Sequence, residues 1–170
     1  GRRLPPEAPS PMIEPDILNE PPATFAGHRT ARKAVDILLA NDGRYHCPSR
    51  KERDALLVGF AMHRKILYGA AFDVIRLEAS VDLMDPRAIA DAIRAITICE
   101  VKSTGQASIK TDLKNYFFNI TAAELLTAQS IGARYRFVFV NTLTAEHQEM
   151  GLNQIFGRAR GMYPAWHIRF

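Results

Sequence analysis

A chain of 170 residues has room for one domain with a full hydrophobic core, and too little for two. Its 47% hydrophobic and 24% charged residues, the lack of any apolar run near the roughly 20 residues that cross a bilayer, and two distant cysteines, Cys47 and Cys99, argue against a membrane-spanning helix, a disulfide framework and a zinc knuckle. They predict a soluble, cytoplasmic protein with reduced thiols, and the formal charge of +4 suits a polyanionic partner.

Residues 1–26 hold seven of the ten prolines, in "LPPEAPSPMIEP" and "NEPPATF". Proline fixes φ and lacks an N–H, so this stretch predicts an extended arm or linker, the joint to a neighbouring domain, ahead of a single domain over 27–170. "GHRTARKAVDILLAND" then turns helical, with Ala31, Ala34, Val35, Leu38 and Leu39 on one stripe and Asn41-Asp42-Gly43 as the stop. After "YHCP" a second helix opens on a capping box, Ser49 with Glu52 three residues on, and its period runs to about Leu67.

Gly69 breaks that period, and "AAFDVIRLEAS" predicts a strand. "DPRAIADAIRA" predicts a short helix with Asp85 as cap and Pro86 at its first position. The strand "ITICEVKST" follows, then a loop from Gly105 to Lys114 that carries Lys110 and Lys114. A helix capped by Thr121, with Glu124 three residues on and Gly132 near its end, leads into the strand "RYRFVFVNT". The tail "AEHQEMGLNQIFGRARGMYPAWHIRF" predicts a helix and then a short final strand. The strand, helix, strand run from 96 to 142 is long enough for a right-handed crossover, which makes those two strands parallel. The fold class is α/β, a central mixed sheet flanked by helices.

The strand "ITICEVKST" carries two opposite charges on one face, because Ile98, Glu100 and Lys102 share a side and Cys99, Val101 and Ser103 share the other. A cross-strand ion pair is the plain explanation of an isolated E-x-K. With Asp73 in the preceding strand, a second explanation opens. If the strands are neighbours, two carboxylates converge beside a lysine, and together with the Val101 backbone carbonyl they make an open site for a hard divalent cation. Such a cation activates water and neutralises charge on a phosphate oxygen, while an adjacent ammonium stabilises the transition state. Hydrolysis of a phosphodiester needs this set.

"FDVI", "ITICEVKST" and "FNITAAELLTAQSIGARYRFVFVN" together resemble the PD-(D/E)XK nuclease superfamily, closest to its subgroup with "EVK(S/T)", over roughly residues 68–142. The resemblance implies a restriction-endonuclease-like core and a Mg²⁺-dependent endonuclease domain cleaving DNA in a restriction or defence system, with Mn²⁺ able to substitute. It implies that Asp73, Glu100 and Lys102 are catalytic, that Asp73, Glu100 and the Val101 carbonyl hold metal, and that Glu124 and Gln129 face the site or the DNA. Lys110, Lys114 and Gln129 are the expected nucleic-acid contacts. The 27-residue separation of Asp73 from Glu100 leaves Asp82 and Asp85 as rivals for the first acidic position.

Two other readings stand beside this one: a nuclease-fold module that binds nucleic acid or protein without cutting, and a nuclease toxin whose proline arm joins a delivery domain. Cleavage of both strands calls for two sites, so a homodimer is the assembly a double-strand cutter would adopt. The five histidines, at 28, 46, 63, 147 and 167, have no zinc-ligand spacing. Asp36, Glu52 and Glu124 read as solvent-facing or capping residues of helices, and Trp166 as core.

Overall fold

The structure, a computed structural model, describes residues 25–163. In chain order it holds α1 (Phe25–Asn41), β1 (Tyr45–His46), α2 (Arg50–Met62), β2 (Val74–Leu77), α3 (Pro86–Asp91), β3 (Ile96–Thr104), α4 (Ala122–Ile131), β4 (Tyr135–Asn141), β5 (His147–Met150) and α5 (Leu152–Arg158). The strands form one five-stranded mixed sheet in the order β1-β2-β3-β4-β5. The pair β3 and β4 is parallel, as the crossover predicts, and the other neighbours are antiparallel.

Strand alternation divides the core in two. On one face Ala34 and Leu38 of α1 pack on Tyr45, Val74, Cys99, Val101, Val138 and Val140. On the other, Leu56 and Phe60 of α2, Ile89 of α3, Ile131 of α4 and Ile155 of α5 cover Ile75, Ile98, Tyr135, Phe137 and Phe139. Glu100 and Lys102, in step with Ile98, belong to this second, more heavily covered face.

The helix starts follow their sequence signals. Ser49 Oγ accepts from the Glu52 N–H at 3.3 Å while Glu52 Oε2 accepts from the Ser49 N–H at 2.7 Å. Asp85 Oδ1 accepts from the Arg87 N–H at 2.9 Å, with Pro86 at the first helical position of α3. Thr121 and Glu124 close the same reciprocal box on α4. Each box satisfies two backbone groups that a bare helix end leaves without partners. Gly132 ends α4 at φ 69°, in the half of conformational space that only glycine enters without steric cost.

Three expectations are corrected. The second helix stops at Met62, not Leu67, because Arg64 turns to φ 56° and the amides of Arg64 and Lys65 fold back onto the carbonyls of Ala61 and Phe60. The chain beyond it runs along α4 instead, with the Ile66 N–H on Ser130 Oγ at 2.6 Å and Lys65 Nζ on the Ser130 carbonyl at 2.9 Å. The strand expected over 70–80 is only Val74–Leu77, and Asp73 stands just ahead of it. In the tail a strand precedes the expected helix: β5 comes first, across a turn with Ala145 at φ 59°, and the helix is confined to α5. Residues read locally as helical are taken by the unpaired edge of β4, where tertiary pairing outweighs propensity. The proline arm, the final strand expected in the tail and Trp166 lie outside the described residues.

Candidate active site

The site begins with a mismatch in strand length. β2 pairs with β3 only as far as Val74 opposite Cys99, so residues 100–104 have β4 on one edge and, among the described residues, no strand on the other. Asp73 sits where β2 stops. Its N–H donates to the Cys99 carbonyl at 3.0 Å, and its Oδ2 accepts from the Val101 N–H at 2.9 Å. The side chain thus caps a strand amide that the missing length of β2 would have paired. In a strand the N–H and C=O of one residue leave on the same edge, so the Val101 carbonyl is turned toward that open edge as well.

The backbone carrying Asp73 is held from two sides. The Arg53 guanidinium, on α2, lies 4.1 Å from the centroid of the Phe72 ring and donates to the carbonyls of Gly69 at 2.8 Å and Phe72 at 2.7 Å. From β4, the Tyr135 hydroxyl donates to the Ala71 carbonyl. A rigid fork and a buried phenol fix this turn better than a solvated loop would, which is the condition for placing a ligand.

Glu100 is 9% exposed, and its Oε1 lies 3.0 Å from Lys102 Nζ. The same ammonium donates to Glu124 Oε2 at 2.9 Å, and Glu124, at 4% exposure, is also the capping-box residue of α4. One cation therefore serves two buried carboxylates, with Asp73 near enough to add to the field on Glu100. Burial pushes the Glu100 carboxyl up to about 8, and the charges of Asp73 and Glu124 add to the rise against the opposing pull of Lys102. For Lys102 burial alone would lower the pKa, yet the attraction of Glu100 and Glu124 outweighs it and holds the group above its ordinary value. The ion-pair geometry and the raised Glu100 value pull in opposite directions. They agree once the charges are counted: one ammonium is short of what three carboxylates require.

Among the described residues no three His, Cys, Asp or Glu side chains form a ready cage for a cation. The donor set near Asp73 is smaller: the Asp73 carboxylate and the Val101 carbonyl at the open edge of β3, and the Glu100 carboxylate on the covered face of the same strand, all oxygen. Neither Asp73 Oδ1 nor Glu100 Oε2 receives a hydrogen bond from the described residues. That set fits a hard cation that keeps several waters, such as Mg²⁺, and does not fit a fully protein-ligated one.

The other candidates separate. Lys110 shares the lining of a narrow cavity with Lys102 and Gln148, whose Oε1 is buried without a hydrogen-bond partner among the described residues. Lys114 and Gln129 are exposed. Asp82 and Asp85 are exposed and bind the amides of Met84 and Arg87, so each already has a local task. Asp36 is exposed, as expected of a solvent-facing helix residue, while Glu52 is occupied by Ser49 and His46. Glu124, read from its spacing as a cap or solvent-facing residue and by the resemblance as facing the site or the DNA, is both the cap and a buried partner of Lys102. The capping-box spacing reveals only the first task, because the second depends on how α4 lies across β3. Arg53 left no sequence signal beyond its place among basic residues.

No family model, curated protein or solved structure matches this chain.

Proposed function

We propose that this domain is a restriction-endonuclease-like, Mg²⁺-dependent endonuclease that hydrolyses DNA phosphodiester bonds, a cleavage module of a restriction or defence enzyme. The observation that carries the reading is the meeting of Asp73 and Val101 at the open edge of β3, with Glu100 and Lys102 beside them on the same strand. Asp73, Glu100 and the Val101 carbonyl would hold the cation, which when bound neutralises charge on a phosphate oxygen and makes its water more acidic. Lys102, fixed by two carboxylates and so unable to swing into solvent, supplies positive charge where the phosphorane develops negative charge. Lys110 and Lys114 contribute phosphate attraction, and Gln129 a polar contact on α4.

The test is incubation of the protein with supercoiled plasmid and labelled oligonucleotides in Mg²⁺, Mn²⁺ or EDTA, beside Glu100→Ala. Cleavage in either metal, lost in EDTA and in the variant, supports the reading; cleavage that survives both rejects it. One observation favours a second reading, a domain that binds nucleic acid without cutting: Lys102 is closed between Glu100 and Glu124. That reading expects DNA retention with no product in any metal.

A further inference from the structure

We infer that Glu124 is a positioning residue that provides a second seat for Lys102, so that a divalent cation can take the Glu100 carboxylate without expelling the lysine from the site. The inference rests on the metal-dependent reading above and adds a residue to it. A divalent cation and the Lys102 ammonium compete for the same oxygens, because Nζ lies 3.0 Å from Glu100 Oε1. If Glu100 were the only anchor, occupation by metal would leave the ammonium unpaired in a site where its side chain is 13% exposed. Glu124 removes that conflict. Its Oε2, 2.9 Å from Nζ, keeps one strong bond when the bond to Glu100 is released.

Glu124 is itself held rigidly. Oε2 accepts from the Thr121 N–H at 3.1 Å while the Glu124 N–H donates to Thr121 Oγ1 at 3.2 Å. The first turn of α4 therefore fixes the carboxylate, and the carboxylate fixes the lysine. Charge favours the same arrangement: Asp73, Glu100 and Glu124 carry up to three negative charges against the single positive charge of Lys102, and a divalent cation balances the remainder. Arg53, a cation next to this segment, spends its donors on the backbone carbonyls of Gly69, Phe72 and Asp73.

Two substitutions separate the seat from the cap. Glutamine also closes a capping box, so Glu124→Gln keeps the helix start and removes the charge that holds Lys102, whereas Thr121→Ala removes the hydroxyl acceptor of the cap and keeps the charge. The probe is Mn²⁺ alone, without nucleic acid, titrated into each protein and followed by the electron paramagnetic resonance of the free ion, with thermal unfolding in parallel. Glu124→Gln should weaken Mn²⁺ binding roughly tenfold, while Thr121→Ala should lower the melting temperature and leave Mn²⁺ affinity unchanged. In a Lys102→Met background, where nothing competes for Glu100, Glu124→Gln should have no further effect. Equal affinity of wild type and Glu124→Gln overturns the inference. So does a loss that persists in the Lys102→Met background, which would make Glu124 a ligand or a general source of charge. A wild-type protein that binds no Mn²⁺ sinks the metal reading itself, and this inference with it.

Discussion

The carboxylate of Asp73 accepts a 2.9 Å hydrogen bond from the Val101 amide, across the gap that β2 leaves when it ends at Val74. One side chain both finishes the edge of β3 and brings an acidic group to the strand that carries Glu100 and Lys102. Structure and chemistry therefore meet in one residue, and substitution can pull them apart.

Asp73→Asn keeps an oxygen that can accept from Val101 and removes the charge. It should cost about 1 kcal/mol of stability or less while abolishing metal-dependent cleavage. Asp82→Ala and Asp85→Ala touch only local turns and the cap of α3, so both should cleave as wild type does. Plasmid cleavage beside thermal melts decides the matter; full activity in Asp73→Asn would return the acidic role to one of the rivals.

Lys102→Met preserves the aliphatic stem and removes the ammonium. Glu100, already inclined to hold a proton by its burial, can relieve the lost pairing by taking one up, so the fold should survive. Cleavage in Mg²⁺ should fall by orders of magnitude, while a gel shift in Ca²⁺ should change little, because phosphate affinity is spread over many basic side chains. Cleavage at the wild-type rate would reduce Lys102 to half of an ion pair.

The raised pKa of Glu100 also fixes the sign of a stability effect. In the unfolded chain this carboxyl releases its proton near pH 4.5, whereas in the fold it keeps it up to about pH 8. Between those values the native state binds more protons, so stability falls as pH rises. The contribution is complete below the unfolded pKa and is lost as pH climbs through the folded one. Melting temperatures of wild type should therefore decline relative to Glu100→Gln as pH rises from 5 to 8. Parallel curves for the two proteins would contradict the assignment.

What could be read from the sequence was local. Ser49-Glu52, Asp85-Pro86 and Thr121-Glu124 announce helix starts because the atoms that make each cap lie within four residues. The parallel pairing of β3 and β4 is legible for a similar reason, since the length between them permits little else. What was hidden depends on distant partners. The early end of α2 is stabilised by contacts of Lys65 and Ile66 with Ser130, and β5 forms because β4 offers a free edge. The same holds at the site: the E-x-K spacing places Glu100 and Lys102 on one face, but the contact of Lys102 with Glu124 exists only once α4 packs over the sheet.

Arg53 is expected to matter through the backbone of Asp73, whose carbonyl accepts from Arg53 Nη2 at 3.5 Å. Arg53→Met removes the guanidinium bonds to the part-buried carbonyls of Gly69 and Phe72 and the longer one to Asp73, and should destabilise the fold by about 2–4 kcal/mol. Arg53→Lys restores the charge but not the fork, so it should recover only part of that loss. Urea unfolding of the three proteins measures it. Equal midpoints would show that the 69–73 turn is held by Tyr135 and the strand alone.

Gly59 tests the packing that supports this whole face. It lies inside α2, where alanine would ordinarily gain up to about 1 kcal/mol of helix propensity. A Cβ at this position, however, would stand 2.5 Å from Ile89 Cγ2 and 3.0 Å from the Pro86 carbonyl, so α2 and α3 approach as closely as they do only because the side chain is absent. Ile89 is fully buried and α3 is anchored at Asp85 and Pro86, which leaves the clash little room to relax. Overpacking of this kind costs about 1–3 kcal/mol, more than the propensity gain returns. Gly59→Ala should therefore unfold at lower urea than wild type, while residual cleavage below its transition stays normal, since the atoms the new Cβ meets belong to Ile89 and Pro86 and not to Asp73, Glu100 or Lys102. A stabilised Gly59→Ala would mean that α3 can move away from α2 at no cost.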